Sequence, residues 1–353
     1  MKETCDICRA SDAMRPILEV SLSGVMDASV CECGQCGFRQ VRPRLQRHEL
    51  SILYPADYFD SASHVGFRDY HRQQQRAERE AFFLAKRLKR IAPTGRLLEV
   101  GCALGFLLDG VRRFSNWTVM GVDVSEFGIY FARKRFGLDA ICGTLEEVGF
   151  EDESFDFIVQ KDLLEHVPDP RALLAETRRI LKPGGRLWLI TPNGEANIRP
   201  LQKIARRIQQ NGQDLLPRLD QGHISFFQFR HLESLFAEFG FKRVRAASVG
   251  VRRGLRAMGI VPMKEKHFIT GPRGNARHMD SPEKETLVDY TGDVGGPAMQ
   301  RLYDRICAEI EASNKPLRSK PAYFRFRQMS MKLDELPRFL SWANDFEFLL
   351  VKK

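Results

Sequence analysis

From Arg96 to Thr191 short apolar runs alternate with helical ones, and no other feature restricts the fold of this chain as strongly. RLLEV (96–100), WTVMGVDV (117–124), DAIC (139–142), SFDFIVQ (154–160) and GRLWLIT (185–191) have the length and composition of strands. Helical segments follow Gly105, cover SEFGIYFARKRFG and cover DPRALLAETRRIL (169–181), the last stopped by Lys182–Pro183–Gly184–Gly185. Alternation at this spacing implies βαβ units and a parallel sheet, an α/β architecture.

The flanking regions are less regular. Residues 68–91 predict a long charged helix with an apolar stripe through Ala77, Phe82, Phe83, Ala85 and Leu88. After Pro192, a basic amphipathic helix (NIRPLQKIARRIQQNG), a helix in FRHLESLFAEFG and a strand in FKRVRAASVG are expected, and FEFLLVKK (346–353) closes as a further strand. Residues 250–340 read as a basic insertion between the last two strands, with one helix at PAMQRLYDRICAEIEAS. Within it, Tyr323, Phe324, Arg325, Phe326 and Arg327 alternate as a strand on a sheet face does, or as a stacking platform.

Five of the eight cysteines lie in the first 36 residues. Cys5 with Cys8 and Cys33 with Cys36 form two Cys-x-x-Cys pairs separated by 24 residues. Each turn directs two sulfurs inward, so the four can surround a tetrahedral Zn²⁺ with no position left for water, a structural site. Cys31 is an alternative to Cys33, whereas Cys102, Cys142 and Cys307 stand alone and read as packing residues. PILEVSLSG between the pairs alternates as a short strand.

No apolar run is long enough to span a membrane, and MKETCDICRA has no signal-peptide core, so a cytoplasmic, reducing setting is expected. The net charge of +10 suggests nucleic acid. Its distribution is uneven: residues 96–195 carry 12 basic against 16 acidic side chains, and 196–353 carry 28 against 17. The excess therefore belongs to the region after the main alternation.

LLEVGCALG (97–105) ends the first strand of the alternation in a tight turn of small residues, where backbone can approach a ligand closely. Asp123 ends the next strand, where a carboxylate can accept from both hydroxyls of a ribose or cap the following helix. LLEVGCALGFLL, GVDVS and FDFIVQKDLLEHVPDPRALLAETRRILKPGGRLWLITPN resemble, in order and spacing, the motifs of class I S-adenosylmethionine-dependent methyltransferases. The likeness spans residues 96–194 and extends more loosely over GHISFFQFRHLESLFAEFGF (222–241). CGQCGFRQVRPRLQRHELSILYPADYF further resembles a zinc-ribbon segment that precedes the core in bacterial sugar- and natural-product-modifying methyltransferases.

That resemblance implies a Rossmann-like, mostly parallel seven-stranded sheet preceded by a small zinc-binding segment. It divides the chain into a ribbon-like segment (1–60), a connecting helix (61–95) and the cofactor-binding domain (96–353), with a lid-like stretch at 195–225. It places Glu99, Gly101 and Gly105 around the methionine part of the cofactor, Asp123 on the ribose, and Val124, Thr144 and Leu145 near the adenine. Gln160 and Lys161 would lie near the sulfonium, and Tyr54, Tyr58 and Phe59 over the substrate side. Ala103 stands where the family has glycine, tolerable if its backbone is ordinary.

Methyl transfer from a sulfonium needs an aligned nucleophile above all, and a base only for weak nucleophiles such as hydroxyls. Asp162, Glu165, His166 and His223 are the candidates, with His223 the leading base and His166 also able to orient its loop. The acceptor expected is small or glycan-linked and anionic, O-methylated. RNA is the alternative, and a non-catalytic cofactor-binding scaffold is a third class. Acceptor specificity is expected from 250–340.

Overall fold

A computed structural model describes residues 4–22, 26–45, 49, 58–59, 70, 73–219, 222–249, 270–272, 295–313 and 345–353. Its first strands are β1 (Met14–Leu22), β2 (Met26–Cys33) and β3 (Arg39–Arg42). They are followed by β4 (Arg96–Val100), β5 (Thr118–Asp123), β6 (Asp139–Cys142), β7 (Phe155–Lys161) and β8 (Leu181–Pro192). The last are β9 (Leu215–Leu219), β10 (Ser225–Phe226), β11 (Phe241–Val249), β12 (Thr270–Pro272) and β13 (Asp345–Lys352). The helices are α1 (Gln73–Ile91), α2 (Phe106–Phe114), α3 (Glu126–Phe136) and α4 (Leu145–Val148). Beyond them come α5 (Pro170–Ile180), α6 (Gly194–Gln210), α7 (Phe229–Glu238) and α8 (Pro297–Ser313).

The main sheet has seven strands in the order β11-β13-β8-β7-β4-β5-β6. Only the β8–β13 and β13–β11 pairings are antiparallel. β4 and β7 are buried along both faces, as a sheet sandwiched between helices requires. β4 pairs in parallel with β5 on one side and β7 on the other, so the chain changes direction between β4 and β7. A crevice opens at such a switch point beyond the carboxyl ends of the strands, and ligands bind there.

A second sheet, β10-β3-β2-β1-β9-β12, was not expected beyond one short strand. It unites the N-terminal segment with the stretch read as a lid: Ser21 pairs with Arg218, and Gln40 with Ser225. The expected boundary between a ribbon and a separate cofactor domain is thus bridged by backbone hydrogen bonds. Val20, Leu22, Val30 and Val41 pack against Ile198 and Leu201 of α6, which covers this sheet.

The described part of 250–340 includes a helix packed on the core. Met299, Leu302, Ile306 and Ile310 recur on one face of α8 and pack with Leu104, Phe106, Phe127 and Phe131 around the strand-to-helix loop after β4. α8 therefore supports the cofactor loop. Tyr323–Arg327 and Tyr54 lie outside the described residues. Among the described residues no helix is long and apolar enough to cross a membrane.

Candidate active site and cysteine knuckle

Glu99 ends β4 with 6% of its surface exposed, and its Oε2 has no hydrogen-bond partner. Burial pushes its carboxyl up to about 8, with Lys161 opposing the shift and Asp123 and Glu80 adding to it. A buried carboxylate oxygen without a partner is the acceptor a ligand ammonium needs. Gly101 and Gly105 follow at φ +80 and +77. A Cβ on Gly105 would lie 2.6 Å from Leu138 Cδ1 and 3.0 Å from Ala132 Cβ, so the loop packs tightly on α3. The turn thereby keeps its main chain open to a ligand at the start of α2.

Asp123 holds this loop from below. Its Oδ2 accepts from Ala103 N and its Oδ1 from Ser125 N, both at 2.8 Å. Ser125, not Asp123, caps α3, accepting from Gly128 N at 3.0 Å. Val124 is 39% exposed beside it, an apolar surface available to a base. Thr144 N donates to Glu147 Oε2 at 3.1 Å, while Leu145 is buried in the core, so only its main chain can front the cleft.

Ala103 sits at φ +48, so the ordinary backbone that would make alanine harmless here is not present. A left-handed non-glycine residue costs about 1 kcal/mol. Ala103→Gly is expected to recover about that much stability, read as a higher denaturant midpoint.

At the end of β7, Gln160 turns its side chain into the core. Its side chain is fully buried and donates to Thr177 Oγ1 of α5 at 2.7 Å, leaving only its main chain toward the cleft. Lys161 Nζ pairs with Glu80 Oε2 of α1 at 2.9 Å, and Glu80 also takes Arg76 Nε at 2.9 Å. Burial would raise the Glu80 carboxyl, but Lys161 and Arg76 hold it below its usual range. The connecting helix is thus part of the site's wall. Asp162 follows, exposed and at φ +51.

The next loop and the segment just before β10 bring Glu165, His166 and His223 together, their ligating atoms all within 4.8 Å of one another. His166 Nδ1 lies 3.0 Å from Gly222 O, which can only accept, so Nδ1 carries the proton. Its Nε2 lone pair then faces Glu165 Oε1 at 3.5 Å, an arrangement that needs a proton between them. Burial, followed by the charge of Asp162, pushes the Glu165 carboxyl well above its usual range, which supplies that proton. Thr191 Oγ1 donates to Glu165 Oε2 at 2.9 Å. His223 Nδ1 takes the Asn197 amide nitrogen at 3.1 Å, and its Nε2 lies 4.0 Å from Glu165 Oε1. Burial, with the charge of His166 adding to it, lowers His223 well below an ordinary imidazole, and burial lowers His166 to about 4. Two neutral imidazoles are therefore available at physiological pH.

Burial raises the Tyr58 hydroxyl, and the charges of Asp123, Glu165 and Asp162 raise it further. Phe59, in edge contact with Tyr58 and Tyr70, anchors it on Phe127.

Cys5, Cys8, Cys33 and Cys36 converge, with Cys5–Cys36 and Cys8–Cys33 sulfurs each 3.6 Å apart. A tetrahedral ion with bonds of about 2.3 Å spaces its sulfurs by about 3.8 Å, so the donor set and its dimensions suit Zn²⁺. Cys31 stands apart, its Sγ 4.0 Å from Ser29 O.

A family profile described as a methyltransferase domain matches residues 70–246. The chain belongs to this methyltransferase family. Its motif order is that of the class I S-adenosylmethionine-dependent members. The ubiquinone biosynthesis O-methyltransferase of Parvibaculum lavamentivorans is 33% identical over 103 residues, 28% of this chain and 40% of that protein. The 24-methylenesterol C-methyltransferase 2 of Arabidopsis thaliana is 29% identical over 147 residues, 38% of this chain and 40% of that one. A solved methyltransferase of Thermotoga maritima is 25% identical, covers 56% of this chain and 84% of that one, and has a TM-score of 0.38. This chain spans about two fifths of the length of these curated relatives.

For this methyltransferase, the orphaned Glu99 and the glycine loop fit the cofactor's charged methionine end. Asn197, Thr191 and the Gly222 carbonyl were not legible as site residues. Each joins the cluster only through tertiary placement, and no spacing in the sequence marks them.

Proposed function

We propose that this methyltransferase O-methylates a hydroxyl of a small, anionic biosynthetic intermediate, a sugar or similar acceptor, with His223 as base. The buried, neutral imidazole pair beside Glu165 carries this reading, since a hydroxyl needs a base and an amine does not. The cofactor supplies an electrophilic methyl group on a sulfonium. Glu99 holds its ammonium, Asp123 accepts from its ribose hydroxyls, and Val124, Thr144 and Leu145 border its adenine. Gly101, Ala103 and Gly105 present main chain to it, with Gln160 and Lys161 beside the sulfonium. His223 takes the acceptor proton at Nδ1, whose lone pair the Asn197 amide occupies in the free protein, and Glu165 Oε1 lies on the Nε2 side of the imidazolium that results; His166 and Asp162 shape and orient the acceptor pocket. NMR of the product made with methyl-labelled cofactor tests this: an oxygen-bound methyl supports it, and a methyl on nitrogen or carbon contradicts it.

Cofactor affinity is expected to depend on Glu99. Its carboxyl titrates near 8 in the free protein, and an ammonium binds only the carboxylate, so binding releases a proton. Affinity should rise with pH and level off above about 8; in Glu99→Gln it should be weaker and flat. Calorimetry in buffers of different ionisation heat reads the released proton.

We assign a structural Zn²⁺ to the four-cysteine knuckle. Purified protein is expected to carry stoichiometric zinc, and the Cys8→Ser, Cys36→Ser double variant to lose it and unfold the N-terminal sheet. Full zinc in that variant contradicts the ligand set. RNA is the second acceptor class, favoured by Arg199, Lys203, Arg206 and Arg207, all exposed on α6. Binding that weakens steeply with salt marks that outcome.

A further inference from the structure

The knuckle is built into the methyltransferase core. Cys5, Cys33 and Phe38 are buried with Leu164, Phe227, Leu232 and Leu235 in one cluster. The Phe38 ring is 5.3 Å from that of Phe227 and meets His231 edge-on at 5.6 Å. His231 is 2% exposed, and its two nitrogens have fixed roles. Nδ1 accepts from Gln228 N at 3.1 Å, so Nε2 carries the proton and donates to the Cys36 carbonyl at 2.9 Å. Arg39, directly after Phe38, pairs with Glu195 at 2.6 Å, and Gln228 Nε2 donates to the same Glu195 oxygen at 2.7 Å.

The path continues to the base. Val41 N of β3 donates to Ile224 O at 2.8 Å, and Ile224 N and Ser225 N both donate to Glu165 O, at 2.9 and 3.0 Å. His223 immediately precedes this doubly held strand. Asn197, its partner at Nδ1, lies on α6 two residues beyond Glu195.

We propose that His231, with Arg39, is a positioning residue that locks the cysteine knuckle onto the 222–228 segment and so holds His223 and Asn197 at the acceptor. This rests on the reading of His223 as base. It does not require His231 to touch acceptor or cofactor.

His231→Phe keeps ring volume and removes both hydrogen bonds; His231→Gln can restore the donor to Cys36 O. In full-length protein, His231→Phe is expected to speed amide hydrogen exchange at Val41, Ile224 and Ser225 by about tenfold, the equivalent of one lost hydrogen bond. Zinc transfer to a competing chelator should become easier by roughly 10–100-fold, and kcat should fall in the same range. The cofactor dissociation constant should not change, and His231→Gln should recover much of each loss. Unchanged exchange and zinc retention in folded His231→Phe overturn the proposal. So does a parallel loss of cofactor affinity, which marks general unfolding. Faster exchange with unchanged kcat overturns the positioning of His223, whereas the base reading fails only if His223→Ala keeps its turnover, so the two failures are distinguishable. Arg39→Gln provides a second variant, with the same pattern expected, should His231→Phe not fold.

Discussion

Replacing His223 with alanine is expected to lower kcat by roughly 10²–10⁴-fold while leaving cofactor binding unchanged. The reason is the separation of duties across the cleft. Glu99, Asp123 and the glycine loop lie at the ends of β4 and β5, whereas His223 sits beside Glu165 and Asn197 on the other wall. Burial keeps His223 uncharged well below the ordinary imidazole value, so with saturating cofactor the acid limb of kcat should fall below about 6.5. The sign follows from the shift: a lowered imidazole stays basic as pH falls and is lost only when it protonates. Single-turnover rates with calorimetric cofactor titrations check both halves. Unchanged turnover in the variant excludes His223 as base.

Asp123→Ala should have the larger effect on binding. Both oxygens of this carboxylate accept main-chain N–H groups, from Ala103 and from Ser125. Hydrogen bonds to a charged group contribute about 1.5–3 kcal/mol each, and here one of them holds an alanine in the left-handed region. Without the carboxylate, Ala103 is free to relax, the loop loses its shape and the ribose loses its acceptor. A loss of cofactor affinity of at least about 100-fold is expected, with about 3 kcal/mol of fold stability. Asp123→Asn keeps one acceptor and should fall between. Equilibrium dialysis and urea denaturation measure the two losses, and wild-type affinity in Asp123→Ala contradicts the assignment.

What could be read in advance was local. Asp169 and Pro170 announce the start of α5, and Asp169 accepts from Arg171 N and Ala172 N. α8 begins and ends where its stripe of Met299, Leu302, Ile306 and Ile310 does. The burial of the Gln160 side chain was harder to foresee, because β7 is apolar on both faces and its alternation does not say which side chains front the cleft. The second sheet was hidden for a different reason. Its pairings join Ser21 to Arg218 and Gln40 to Ser225, and LLPRL is short and carries a proline, so no local periodicity marks it. The basic excess after residue 196 kept its position but gained a location: α6 carries part of it across the small sheet, beside Asn197 and His223.

The most direct test of the account is incubation with methyl-labelled S-adenosylmethionine and a fractionated cell extract, using wild-type enzyme and His223→Ala side by side. Label is expected in small anionic metabolites with wild-type enzyme and is expected to be absent with the variant. Label in RNA or protein, or equal labelling by both enzymes, contradicts it.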